Sequence, residues 1–164
     1  MRTLAVRAAS AVAAVVLAVV FLWPSGQSDP EPIAHGRDSC ARCRMIISQP
    51  GFGGELRDRK GALTKYDDLG CMLDAMLAER GEMPAAWVED HRDGTLVPLL
   101  TASLVRTAAG STPMGHGIVA FADAAAAGSF VAEHGGEAVA LEEVVRSRER
   151  LALRTSQDEA GREP

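Results

Sequence analysis

The sequence predicts an α+β fold in which two similar small β-β-α-β units follow an N-terminal transmembrane or signal helix. Three observations carry that prediction. Residues 8–23 form an uncharged, largely apolar run behind Arg2 and Arg7. Beyond the run, short stretches suited to strands alternate with stretches whose apolar residues recur at helical spacing. One constant shift then lays Tyr66 on Phe121, Asp68 on Asp123 and Gly81 on Gly136, so the second half repeats the order of the first.

Residues 1–23 read as an export signal: a basic start, an apolar middle, and Pro24-Ser25-Gly26 behind it. As a helix the apolar run covers about 24 Å, short of a hydrocarbon core unless Leu4 to Val6 join it and Arg7 snorkels. Trp23 suits the membrane interface and no small-x-small cleavage site follows it directly, which favours an uncleaved anchor. With basic residues before the run and Asp29 and Glu31 after it, the rest of the chain is expected to face the periplasm or cell exterior. No Cys closes the run, so a lipid anchor is not expected. Residues 24–38, proline-rich and polar, read as an extended linker.

The folded domain is expected over residues 39–146, in units of about 39–92 and 100–146. In the first, Met45 to Ser48, a turn over Gln49 to Gly54, and Glu55 to Arg57 read as strand, turn and strand. The turn lacks the Lys-Ser/Thr ending of a phosphate loop. Asp67 or Asp68 then caps a helix running to about Arg80, with Leu69, Met72, Leu73, Met76 and Leu77 on its apolar stripe and Gly81 as its stop. A strand over Ala86 to Asp90 follows. The second unit offers a strand over Gly117 to Phe121, a helix from Asp123 to about His134 stopped by Gly135-Gly136, and a strand over Ala138 to Leu141. Residues 147–164 are a polar tail expected to fray.

Composition excludes several classes. At 164 residues the chain holds one compact domain or two very small ones, not a multidomain enzyme. Apolar residues make up 47 % but aromatics only 4 %, so the core is built from Ala, Val, Leu and Met. The formal charge is −5 with the basic residues scattered, so no stripe exists to hold a nucleic-acid backbone. No Ser-His-Asp set or carboxylate pair supports catalysis, and the chain is read as a binding protein rather than an enzyme.

Soft donors gather in three places: Cys40, Cys43 and Met45; Cys71 with Met72; and Met114 with His116. Thiolate, thioether and imidazole together suit copper(I) better than a hard ion or zinc, and thioether sulfur keeps its lone pairs at any pH. An extended segment would point Met114 and His116 to one face, while Gly115 and Gly117 leave room for an ion or partner. Three cysteines is an odd count for an exported protein. One disulfide plus a spare Cys, a thiol-disulfide oxidoreductase using Cys40 and Cys43, and a structural zinc or disulfide module that binds a protein remain alternatives. Redox chemistry wants the first Cys at a helix N-terminus, and zinc wants a fourth ligand from Cys71 or a His. Met72 and Met76 read as core filler, His35, His91 and His134 as structural or surface residues, and Asp67 and Asp68 as a cap and a helix-dipole charge.

These residues carry a family resemblance. Cys40-x-x-Cys43-x-Met45, Tyr66-Asp67-Asp68-Leu69-Gly70-Cys71-Met72 and Pro113-Met114-Gly115-His116 resemble, in order and spacing, three segments of the nitrous oxide reductase accessory proteins called NosL. The resemblance spans about residues 38–146. It implies a copper(I) chaperone that serves nitrous oxide reductase, or its maturation complex, outside the cytoplasm during denitrification. It also implies that Met114 and His116 are copper ligands, with a Cys of the opening motif as a less settled one. Arg44 stands where the family has Gly, and the family's lipid-anchor Cys is absent.

Overall fold

A computed structural model of the chain describes residues 29–78, 85–107 and 112–160. The expected N-terminal helix and the Gly81 stop lie outside the described residues. Among the described residues the fold is a mixed α+β arrangement with two antiparallel sheets and three helices. The elements are β1 (Gly54–Arg57), β2 (Leu63–Tyr66), α1 (Leu69–Ala78), β3 (Ala85–Glu89), β4 (Leu96–Pro98), β5 (Ser103–Arg106), β6 (Ile118–Phe121), α2 (Ala124–His134), β7 (Glu137–Val139) and α3 (Leu141–Ala160). Strand order is β2-β1-β3-β4 in the first sheet and β6-β5-β7 in the second.

β1 is central in the first sheet, with Leu56 opposite Thr64 on one side and Ala86 on the other. The β1–β2 hairpin turns on Asp58, whose carboxylate accepts the Lys60 and Ala62 N–H groups at 2.8 Å, and on Gly61 at φ 83. β5 is central in the second sheet, pairing Leu104 with Ala120 and Val139. β6 is buried on both faces. Ile118 and Ala120 join the main core, while Val119 and Phe121 face a second cluster with Val105 and Ala127 of α2. α1 packs against β1, β2, β6 and α3, so it lies between the two halves. Met72 on α1 is fully buried in the main core, as its place on the apolar stripe predicts.

Four expectations are corrected. Met45 to Ser48 is no strand: the segment makes a single bridge between Ile46 and Ser39 and drives only Ile47 into the core, leaving Met45 and Ile46 exposed. The hairpin of the first sheet is instead β1–β2. β4 and β5 carry no signal strong enough to read, being three and four residues long. Leu141 begins a helix rather than ending a strand, and that helix runs through the expected tail. α3 docks Val144 into the core and extends Arg148 to Asp74 on α1 at 2.5 Å. The expected linker also contributes to the core through buried Ile33.

Candidate metal centre

The N-terminus of α1 organises the donors. Two consecutive acids, Asp67 and Asp68, are buried there and face different groups. Asp68 accepts the Gly70 N–H at 2.7 Å, as a helix cap should. The same carboxylate also accepts the Thr112 hydroxyl at 2.7 Å, the Met114 N–H at 3.1 Å and the His116 Nδ1 proton at 2.6 Å. Burial works against ionisation of Asp68, but the hydrogen bonds from His116, Thr112 and Met114 outweigh it and hold the carboxyl below its usual range.

Residues 112–117 are a turn rather than an extended segment, closed by the Gly115 N–H to the Thr112 carbonyl at 2.9 Å. Gly115 and Gly117 both take positive φ, 72° and 66°. A turn thus takes the place of strand alternation, and Asp68 holds both the Met114 backbone N–H and the His116 ring. With Nδ1–H committed to a carboxylate, His116 presents the Nε2 lone pair, the state an imidazole needs to ligate a metal. The His116 side chain is 22 % exposed and Met114 37 % exposed, so both can be reached from solvent. His116 borders a cleft of about 540 Å³ lined also by Arg42, Asp74, Leu77, Arg148 and Leu151.

The thiols gather elsewhere. Donor atoms of Cys40, Cys43, Cys71 and Asp67 all lie within 4.8 Å of one another, and His116 is not of this group. All three cysteines are free. The Cys40–Met45 loop is folded by the Arg44 N–H to the Cys40 carbonyl at 3.0 Å and the Cys40 N–H to the Met45 carbonyl at 2.8 Å. Arg44 sits at φ 67, the left-handed conformation that explains why glycine suits this place. The Cys43 thiol lies 3.5 Å from both Asp67 oxygens. Burial pushes the thiols of Cys43 and Cys71 up from their ordinary values. An attacking redox thiol needs the opposite shift, so the burial of Cys43 argues against an activated nucleophile there.

Thus the predicted donors occupy two places: Met114 and His116 on Asp68, and the three cysteines beside Asp67. Met45 is exposed on its loop. The other histidines have structural partners: His35 faces Glu89 at 3.0 Å, His91 meets the Gly51 carbonyl at 3.1 Å amid Phe52, Phe121 and Phe130, and His134 lies tilted against Phe130.

No curated protein matches the sequence. Among solved structures, the crystal structure of the copper chaperone NosL from Shewanella denitrificans aligns with a TM-score of 0.60 at 21 % identity, over 73 % of this chain and 96 % of that one. At that identity the likeness speaks for the fold alone. The NosL family model matches residues 33–148, a stretch that takes in both acids, the three cysteines and the Met-Gly-His turn, and the chain therefore belongs to the NosL family.

Proposed function

We propose that this protein is an extracytoplasmic copper(I) chaperone, tethered to the membrane by its N-terminal helix, that delivers copper for assembly of a copper enzyme, nitrous oxide reductase. One observation carries the reading: Asp68 holds His116 through Nδ1, which leaves Nε2 to ligate, and the same carboxylate holds the backbone of Met114, whose side chain is part exposed. Met114 and His116 are two neutral donors, which leaves copper(I) room for a third. A thiolate or a donor from the client would supply it, and an incomplete shell at the surface favours exchange over storage. The cleft beside His116 gives a client a way in. Family membership and the copper chaperone of the same fold support copper as the cargo, and the resemblance of the three motifs is what suggests the client.

The test is competition for copper(I) between the reduced full-length chain and a chromophoric chelator. The chain is expected to retain one copper at the surface pair, and Met114→Ala and His116→Ala each to weaken retention. Unchanged affinity in both variants would remove the site. Addition of the copper-loaded chain to copper-free nitrous oxide reductase reads the client: restored activity supports it, and none while another copper acceptor is filled refutes it.

A further inference from the structure

We propose that Thr112 is a positioning residue for the surface pair: its hydroxyl locks the Met-Gly-His turn onto Asp68 and so keeps the His116 ring in its ligating state. The proposal deepens the copper reading and rests on it for the cargo, while the placement of the ring is testable without metal. Thr112 is buried and stands two residues before Met114. Its hydroxyl uses both of its capacities. It donates to Asp68 Oδ2 at 2.7 Å and accepts the Gly117 N–H at 3.1 Å. Its backbone carbonyl accepts the Gly115 N–H at 2.9 Å. One residue therefore ties the turn on both sides of His116, and ties it to the carboxylate that receives the ring's Nδ1 proton.

Polar bonds carry this task because packing does not. Met114 is exposed, and a Cβ placed on Gly115 would meet nothing within 4 Å. Gly115 and Gly117 at positive φ leave the backbone itself permissive. Pro113 has no N–H to give. The N–H groups of Met114, Gly115 and Gly117 remain, and all three end on Asp68 or Thr112. Loss of the hydroxyl would act on His116 in two opposed ways. Asp68, short of one donor, becomes a stronger acceptor for the ring, while the turn that carries the ring loses its tie at Gly117. The second effect wins. Asp68 keeps the N–H groups of Gly70 and Met114 and the ring itself, whereas the buried Gly117 N–H loses the acceptor it has.

The test compares Thr112→Val, which keeps the shape and removes the hydroxyl, with Thr112→Ser, which keeps the hydroxyl and removes a methyl. Both are made in the full-length chain, reduced, in detergent and labelled with nitrogen-15 at histidine. In the metal-free native chain His116 should show one fixed tautomer, with the proton on Nδ1. Thr112→Val should show a mixture, and should hold copper(I) about tenfold less tightly against a chelator. Thr112→Ser should keep the native tautomer and the native affinity. A native ring signal in Thr112→Val, or the same loss in Thr112→Ser, overturns the proposal. So does native affinity in Thr112→Val where His116→Ala weakens retention. Where Thr112→Val does not fold, hydrogen exchange on the native chain decides. The Gly117 amide should exchange at least about tenfold more slowly than an unstructured amide, and exchange at the unstructured rate overturns the proposal. A ring signal that responds as expected, with copper retention unchanged even in His116→Ala, removes the copper reading and leaves Thr112 as the residue that places the ring.

Discussion

His116 ends a three-residue motif, but its orientation is set 48 positions earlier in the chain by Asp68. That connection decides what substitutions at the surface pair do. Met114→Ala removes a part-exposed thioether and should change folding stability by no more than about 0.5 kcal/mol while weakening copper retention. From sequence alone His116→Ala would look equally harmless. The structure says otherwise: it strips one partner from a buried carboxylate and should cost about 1–3 kcal/mol. Asp68→Asn keeps both ligands yet loses the anionic acceptor that holds Nδ1–H, and should lower copper affinity about 10- to 100-fold. Denaturant unfolding and chelator competition on the three variants check these expectations. Equal stability of the two alanine variants would mean that Asp68 does not lean on His116. At Arg44 the outcome should have the opposite sign. A non-glycine residue at φ 67 is strained, so Arg44→Gly should be neutral or stabilising by up to about 1 kcal/mol in the same unfolding assay, whereas Arg44→Val should destabilise.

α1 shows how an element serves both packing and site. Gly70 lies against the His116 ring: a Cβ there would fall within van der Waals distance of its Cγ and Nδ1. In an unconstrained helix Gly→Ala gains about 1 kcal/mol, but here it should push the imidazole off Asp68 and weaken copper retention without removing a ligand. Met72, two residues on, should behave inversely. Its truncation to Ala empties a fully buried position and should cost about 2–5 kcal/mol, with copper stoichiometry intact in the folded protein. Chelator competition and unfolding on Gly70→Ala and Met72→Ala decide, and full copper affinity in Gly70→Ala would break the argument. What the sequence made legible at this scale follows from range. α1 and α2 were readable because stripe, cap and stop are local signals; the Asp123 side chain does accept the Ala126 N–H at 2.8 Å, and Gly135 closes the helix at φ 78. The three soft motifs were readable because their donor types are diagnostic. Asp67 as a neighbour of three thiols, and Asp68 as the anchor of His116, were not, because each depends on segments tens of residues apart. Met45-Ile46-Ile47 misled because strand propensity measures suitability for a sheet face, and among the described residues the segment pairs only through the single Ile46–Ser39 bridge. α3 was missed because its buried face is narrow and partly polar, with Arg148 taking the place of an apolar residue against Asp74.

At the scale of the molecule, the two sheets must hold together for Asp68 on one half to keep the Met-Gly-His turn of the other. Asp90 is central to that junction. It follows β3 and bridges to Ala120 of β6, while the His91 N–H donates to the Ala120 carbonyl at 2.8 Å. Its buried carboxylate accepts the Ala122 N–H at 2.8 Å and pairs with Arg92 at 2.7 Å. The Arg92 hydrogen bonds, ahead of the opposing effect of burial, bring its pKa down from 3.8 to about 2. A carboxyl whose folded pKa is depressed stabilises the fold fully above its unfolded value. That contribution is lost as pH falls toward the folded value, here between about 4 and 2. The shift corresponds to roughly 2 kcal/mol. Asp38 and Asp68 are also held below the usual carboxylate range and add to acid loss, so the prediction concerns a difference. Asp90→Asn should be less stable than the native sequence at neutral pH, and the gap should close as pH is lowered through that window. Paired unfolding curves at several pH values measure it. A gap that stays constant down to pH of about 2 would show that Asp90 holds the halves together by shape alone, without its charge.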